Sequence, residues 1–572
     1  MVMISLAFIV AQVWLDLRLP DYMKEITTLV QTEGSIMNEV LISGGKMLIC
    51  ALGSLVSSVA VGYFAARIAA GLSKTLRNLI YNKVQSFSLE EINKFSTASL
   101  ITRSTNDITQ IQITVAMGLQ AIIKAPIMAV WAITKIAGKS WEWTVSTGIA
   151  VIVLVISIAI IMAVVAPRFK KIQQLTDKLN GVTRENLTGL RVVRAYNAED
   201  YQQAKFEDVN ETLTKTNLFS NRVMVSMFPL MTLISSGLSL AIYWIGAILI
   251  DNAGMEDKIE LFSDMLVFSS YAMQIIMSFM MLMIIFIMLP RITVSANRIN
   301  EVLGTNSKIK GGNVTDSPLS HKGEVEFRNV SFKYPYAEDY VLHDVSFKAN
   351  RGDTIAFIGS TGSGKSTLIN LVPRFYDATE GEVLVSGVNV KDYNLESLYN
   401  KLGYVSQKAV IFSGTVQSNV AYGYNGKADA TAEQVINAVE IAQGSDFVEE
   451  KGGYDAHISQ GGANLSGGQK QRLSIARAVC REPEIFIFDD SFSALDYKTD
   501  RELRKVLKEK TGKVTSLIVA QRIGTIKDAD QIIVLSDGEV VGTGTHKELL
   551  SSCSVYREIA ESQLSKEELD YE

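Results

Sequence analysis

The residues best suited to chemistry lie in the second half of the chain. A strand-like run, DTIAFIG, leads straight into GSTGSGKST, where Gly359, Gly364, Lys365 and Ser366 satisfy G-x-x-x-x-G-K-[ST]. A helix-like segment, LINLVPRFY, follows. Such a loop suits phosphates because its glycines let successive backbone N–H groups wrap the oxygens, and the helix start adds positive potential. Lys365 would reach the β and γ phosphates and Ser366 would ligate Mg²⁺. Ser360, Thr361, Gly362, Ser363 and Thr367 complete the cradle. Farther on, IFIFDD at 485–490 is an apolar strand ending in two carboxylates. Asp489 is expected to hold the metal, and Asp490 to sit beside the γ phosphate. Taken alone, the two aspartates read equally well as a capping pair at a strand end; the phosphate loop tips the balance toward chemistry.

These groups need a soluble α/β scaffold, yet the chain as a whole is not soluble in character. Its 572 residues are 48% hydrophobic and 20% charged, which is apolar for a cytosolic protein. Most of the apolar runs, such as VIVLVISIAIIMAVVAP, fall before residue 290. A helix crosses the hydrocarbon core with about 20 apolar residues. Six spans are expected, near 1–19, 40–70, 114–137, 143–166, 221–250 and 262–289. The first lacks a basic flank and a small-residue cleavage site, so it reads as a retained span.

Two connections are long and basic. One carries Arg67, Lys74, Arg77 and Lys83, the other Arg168, Lys170, Lys171 and Lys178. The positive-inside rule places both in the cytoplasm, as arms longer than a bilayer requires. Met224, Met227 and Met231, with Met273, Met277, Met280 and Met281, recur at helical spacing. They suit either a plastic apolar binding surface or ordinary packing, and packing is favoured. Asp16 and Arg18 are expected at the interface rather than in an ion site. A net charge of −5 argues against nucleic acid. Three cysteines with no CxxC pair exclude a disulfide scaffold or a cysteine zinc site. The apolar period stops at 303–322, a Gly/Ser/Asn/Pro-containing linker, so the expected division is 1–302, 303–322 and 323–572.

The run Leu465, Ser466, Gly467, Gly468, Gln469 resembles the signature of ATP-binding-cassette (ABC) proteins, and Ser493 to Asp496, SALD, resembles their D-loop. Tyr334 resembles the aromatic that stacks on adenine, and Gln407 the Q-loop glutamine that meets Mg²⁺. Order and spacing match over essentially the whole chain, which resembles a half-transporter of the ABC exporter class. The resemblance implies an all-α six-helix transmembrane domain followed by an α/β P-loop ATPase domain, in a multi-pass cell-membrane protein with the ATPase in the cytoplasm. ATP and Mg²⁺ are the implied cofactors, with Ser366, Gln407 and Asp489 around the metal. Ser466, Gly467, Gly468 and Gln469 would face ATP held by a second cassette. Short coupling helices are expected near Thr105 to Gln112 and Gly189 to Glu199.

Two positions depart from the family pattern. Asp490 stands where efficient members carry Glu, and Gln521 where they carry His. Losing one methylene retracts the carboxylate by about 1.5 Å, and an amide cannot carry an imidazolium charge. None of the four histidines, His321, His343, His457 or His546, replaces it by position. A homodimer would then hold two weakened sites. The resemblance therefore implies a heterodimer with a second half-transporter that supplies the missing Glu and His, extruding amphiphilic drugs or lipid-like compounds by alternating access. The other function class considered is an ATP-gated channel or sensor with slow turnover.

Overall fold

The fold is a computed structural model that describes residues 1–32, 36–137, 140–254, 257–335 and 337–564. The end of the expected cassette, 565–572, lies outside these residues. Two compact units divide the chain. One comprises Met1–Lys83 with Ala98–Gly304, the other Val84–Thr97 with Thr305–Glu572.

The first unit is helical throughout. Its elements are α1 (Val2–Gln31) and α2 (Met37–Gln85); then, after α3 (Leu89–Phe95), which belongs to the other unit, α4 (Thr97–Ile136), α5 (Trp141–Thr188), α6 (Leu190–Ala195), α7 (Glu199–Asn252) and α8 (Asp257–Gly304). Six of these helices are long and apolar enough to cross a membrane, and each contains one expected span. With 49 residues, α2 is about 74 Å long at 1.5 Å per residue, against a hydrocarbon core of about 30 Å. The basic stretches are therefore helical extensions of the spans rather than loops. Pro20, Pro126 and Pro167 sit inside helices, as neighbouring helices in a membrane bundle permit. A five-residue π-turn, Arg103–Asp107, interrupts α4. There Arg103 donates to the Arg298 carbonyl and pairs with Glu301 at 2.8 Å, fastening α4 to α8.

The helical core gathers Trp143, Phe268, Tyr271, Ile275, Met227 and Met231. Trp143 is fully enclosed, and its indole N–H donates to the Ile242 carbonyl at 3.1 Å. Met227 and Met231 are ordinary core residues, while Met277 is 57% exposed, so the methionines do not form one surface. Large apolar side chains such as Leu41, Leu48, Ile149 and Ile156 point outward, as lipid-facing positions do. Asp16 departs from the interfacial expectation. It is wedged between helices, accepting from Lys124 on α4 at 3.2 Å and from Ser54 on α2. Arg18 is exposed and stacked over Trp14.

The second unit is built on strands β1 (Val325–Phe332), β2 (Leu342–Ala349), β3 (Thr354–Gly359), β4 (Glu380–Val385), β5 (Val388–Asn389), β6 (Leu402–Val405), β7 (Gly414–Thr415), β8 (His457–Ile458), β9 (Ile485–Asp489), β10 (Thr515–Val519), β11 (Gln531–Ser536) and β12 (Glu539–Gly544). Its main sheet runs β12-β11-β3-β10-β9-β6, parallel except for the antiparallel β12 edge. A second, antiparallel sheet runs β2-β1-β4-β5. Side chains alternate between faces. Phe357, Ile487 and Leu517 join one core, whereas Ala356, Phe488 and Ile518 join the other. Burial on both faces explains why IFIFD reads as an unbroken apolar run.

The segment from 84 to 97 packs with this unit although its sequence lies between two spans. Leu89 of α3 lies against the β-rich core, and Asn93 donates to the Tyr376 hydroxyl at 3.2 Å. Glu91 caps its own helix through Ser88 and accepts from the Lys308 backbone N–H. The short helix expected near Thr105 to Gln112 is thus misplaced: those residues belong to α4, across the end of its π-turn, and the turn between spans lies at α3. The polar run from 97 to 112, TASLITRSTNDITQIQ, reads as a connection, which drew the expected turn away from α3. The second short helix, α6, falls inside the expected 189–199.

Replacing Trp143 by Ala leaves a large void and removes the indole bond to the Ile242 carbonyl. It is expected to cost about 3 kcal/mol or more, seen as a lowered unfolding midpoint in detergent; an unchanged midpoint would remove Trp143 from the core.

Candidate nucleotide site

The phosphate-loop sequence begins where β3 ends, at the carboxyl edge of the parallel sheet, the usual place for a ligand in an open α/β sheet. Gly364 has φ +92°, and a Cβ there would lie 2.9 Å from the Val341 carbonyl, so only glycine fits without strain. Gly362 is also left-handed, at φ +89°, with open space above it. Lys365 then opens a helix, α9 (Lys365–Asn370). Its ammonium donates to the Gly359 and Ser360 carbonyls at 2.9 and 2.7 Å, folding back over the loop. Burial pulls the Lys365 pKa below its ordinary value, against the attraction of Asp490 and Asp489.

Ser366 donates to Asp489 Oδ1 at 2.7 Å. A hydroxyl and a carboxylate meeting at one point are hard oxygen donors, the set Mg²⁺ prefers when phosphates complete its shell. Ser366 and Asp489 therefore fit that ion, with Gln407 held beside them through its Nε2 bond to the adjacent Asp490. Burial raises the Asp489 pKa, the Ser366 hydrogen bond opposes, and the charge of Asp490 adds to the rise.

Asp490 follows β9 at φ +46°, its N–H donating to the Val519 carbonyl. One carboxylate oxygen, Oδ2, accepts from two amides: Gln521 Nε2 at 2.9 Å and Gln407 Nε2 at 3.3 Å. Burial raises the Asp490 pKa against the Gln407 hydrogen bond and the charges of Arg522 and Lys365. Tyr334 is half-buried beside α9, its hydroxyl within 2.9 Å of Thr367 Oγ1 and its ring edge-on to Tyr376.

The structure thus brings Tyr334, residues 359–367, Gln407, Asp489, Asp490 and Gln521 to one edge of the sheet. The signature run stands apart. Ser466 caps a different helix, α10 (Gly467–Cys480), in a reciprocal pair with Gln469, and neither bonds a phosphate-loop residue among the described residues. Open space lies over Gly467, while Gly468 lies close to the Ala494 carbonyl of the D-loop.

Three supporting residues escaped the sequence reading. Arg522 donates to the Ser493 carbonyl at 3.1 Å, holding the D-loop against the residue after Gln521. Gln471 ties α10 to the Ser406 carbonyl beside Gln407. Gln563, near the end of the last described helix, donates to the Gln521 carbonyl and accepts from Ile523 N–H. Gln471 lies two residues past the signature and Arg522 follows Gln521, so proximity in sequence was the available signal; nothing in the sequence marks Gln563.

Six long apolar helices followed by a P-loop α/β domain with a separate signature helix define an ATP-binding membrane transporter. The comparisons narrow this. Residues 2–290 match the family described as ABC transporter transmembrane region, and residues 342–493 match the family described as ABC transporter. An uncharacterized ABC transporter ATP-binding protein of Mycobacterium tuberculosis is 38% identical over 524 residues, covering 91% of this chain and 87% of that protein. The ATP-dependent lipid A-core flippase of Pseudomonas aeruginosa is 31% identical over 499 residues, covering 86% and 80%. A solved bacterial Atm1-family ABC exporter with ATP bound aligns with a TM-score of 0.82 at 23% identity, covering 99% of this chain and 98% of that one, a likeness of fold. The chain belongs to the ABC transporters, as a half-transporter of the exporter type. It is a multi-pass cell-membrane protein with a cytoplasmic nucleotide-binding domain.

Replacing Lys365 by Ala removes a charge-assisted contact to phosphate and is expected to weaken ATP binding about 10- to 100-fold, measured by titration with a fluorescent ATP analogue. Undiminished affinity would show that the ammonium does not face the phosphates.

Proposed function

We propose that this chain is the weak-site half of a heterodimeric exporter for amphiphilic, lipid-like or drug-like compounds, bound to ATP and Mg²⁺ at its own phosphate loop but turning ATP over poorly there. The observation that carries this reading is the double amide contact on Asp490 Oδ2. A general base must present a free lone pair to water at hydrogen-bond distance. Here the shorter aspartate is turned toward two N–H donors, one of them the residue standing where an imidazole would shuttle protons. The contact supports reading this as a site that retains nucleotide without efficient hydrolysis.

The signature, by contrast, keeps its glycines, its Ser466–Gln469 cap and the open face over Gly467. It suits completion of an ATP site whose phosphate loop, Glu and His belong to a partner half-transporter. ATP then draws the two cassettes together, and hydrolysis at the partner's site lets them part. Movement reaches the spans through segments such as α3, which is covalently continuous with α2 and α4 yet packs with the cassette. The amphiphilic substrate class is supported by the outward-facing apolar helices and by the similarity to a lipid A-core flippase.

In the assembled pair, Asp490→Asn should change ATPase activity by less than about threefold, whereas replacing the partner's catalytic Glu should lower it by about 10² to 10⁴. Equal losses would overturn the asymmetry. Leu89→Asp should leave ATP binding intact while reducing substrate export in vesicles; unchanged export would exclude α3 from coupling.

A further inference from the structure

The charges inside the helical unit are not scattered. The mapping of the basic extensions to the cytoplasm makes Gln31 of α1, Ile136 of α4 and Asp257 of α8 outer ends. Asp16, Asp21 and Lys24 lie within about 22 Å of Gln31 along α1 at 1.5 Å per residue. Each meets an opposite charge on another span. Asp16 pairs with Lys124 of α4 at 3.2 Å, Asp21 with Lys135 of α4 at 2.6 Å, and Lys24 with Asp264 of α8 at 2.8 Å. Neutral contacts reinforce the same seam. The Tyr271 hydroxyl of α8 is 2.6 Å from Asp21 and 2.9 Å from the Leu17 carbonyl, and Thr28 donates to Ser263 at 3.2 Å. Nearer the start of α1, the buried positions are Ser5, Ile9, Gln12 and Val13, and no ion pair is present among the described residues there.

This asymmetry has a mechanical consequence. Apolar contacts between spans exchange for lipid or other side chains with little directionality, whereas a charge in a span must keep a partner or gain water. The inner part of α1 can therefore slide or part without stranding a charge, and the outer part cannot.

We propose that Asp16–Lys124, Asp21–Lys135 and Lys24–Asp264 form an electrostatic latch that holds α1 to α4 and α8 from the middle of α1 outward, and that outward release requires these pairs to separate and hydrate. Asp16 also accepts from Ser54 of α2, so α1 retains a polar contact on that side when the α4 side opens. The proposal is independent of whether the cassette site is weak.

The test uses the full-length transporter assembled with its partner in lipid nanodiscs, spin-labelled at Gln31→Cys and Ala137→Cys. The three native cysteines are buried and should label poorly. Pulsed EPR distances without nucleotide should show a mainly short separation. Neutralisation by D21N, or by D16N with D21N, should raise the ratio of long to short separations about threefold per pair lost. The reversed pair D21K with K135D should return the ratio toward that of the parent, as should K24D with D264K, whereas D21K alone should not. ATP binding by each variant reports that the cassettes remain folded. Distances unchanged by D16N with D21N, or a reversed pair no different from D21K alone, would overturn the latch. Loss of hydrolytic asymmetry with an intact latch response would instead count against the weak-site reading alone.

Discussion

The Asp490 carboxylate is the point where three loops of the cassette meet. Its Oδ2 receives the amide of Gln407, which follows β6, and that of Gln521, which follows β10, while its own backbone is hydrogen-bonded to Val519. Three loops from three parallel strands are thereby fixed against one oxygen. Such a junction is high in consequence because burial makes each unmatched polar group costly, so movement of one loop must be answered by the others. Gln563 and Arg522 extend the junction to the last described helix and to the D-loop.

The sheet makes this junction possible. The parallel order β11-β3-β10-β9-β6 places the phosphate loop, the paired aspartates, Gln521 and Gln407 side by side at one edge, though they are spread from residue 359 to 521. Strand burial on both faces keeps that edge rigid. The membrane unit follows the opposite logic. Its helices turn apolar side chains outward, and ion pairs such as Asp16–Lys124 and Asp21–Lys135 lie between spans. Rigid chemistry at a sheet edge and polar seams between helices are two uses of the same cost of burying charge.

Much of this was legible from residue types. The phosphate loop could be read because glycine, lysine and serine at fixed spacing have few structural alternatives, and the spans because 18 or more apolar residues have few other destinations. The partner of Asp16 was not legible. Lys124 lies more than a hundred residues away, and a lone aspartate near a helix end reads naturally as interfacial. The place of α3 was hidden for a related reason. Its capping box, Ser88 with Glu91, is a local signal, but the polar run that follows to residue 112 looked equally like the turn. The amide grip on Asp490 was half visible: Gln521 stood out by departing from the family pattern, but its bond to Asp490 is a tertiary fact.

In the proposed function, Asp490 and Gln521 together, rather than the rest of the cassette, limit turnover at this phosphate loop. The most direct measurement is single-turnover ATP hydrolysis by D490E with Q521H, in a complex whose partner site has been silenced. A longer carboxylate freed from the amide and backed by an imidazole should speed hydrolysis at this site by about 10² or more. A rate no faster than that of the unaltered chain would contradict the account and place the limitation elsewhere in the cassette.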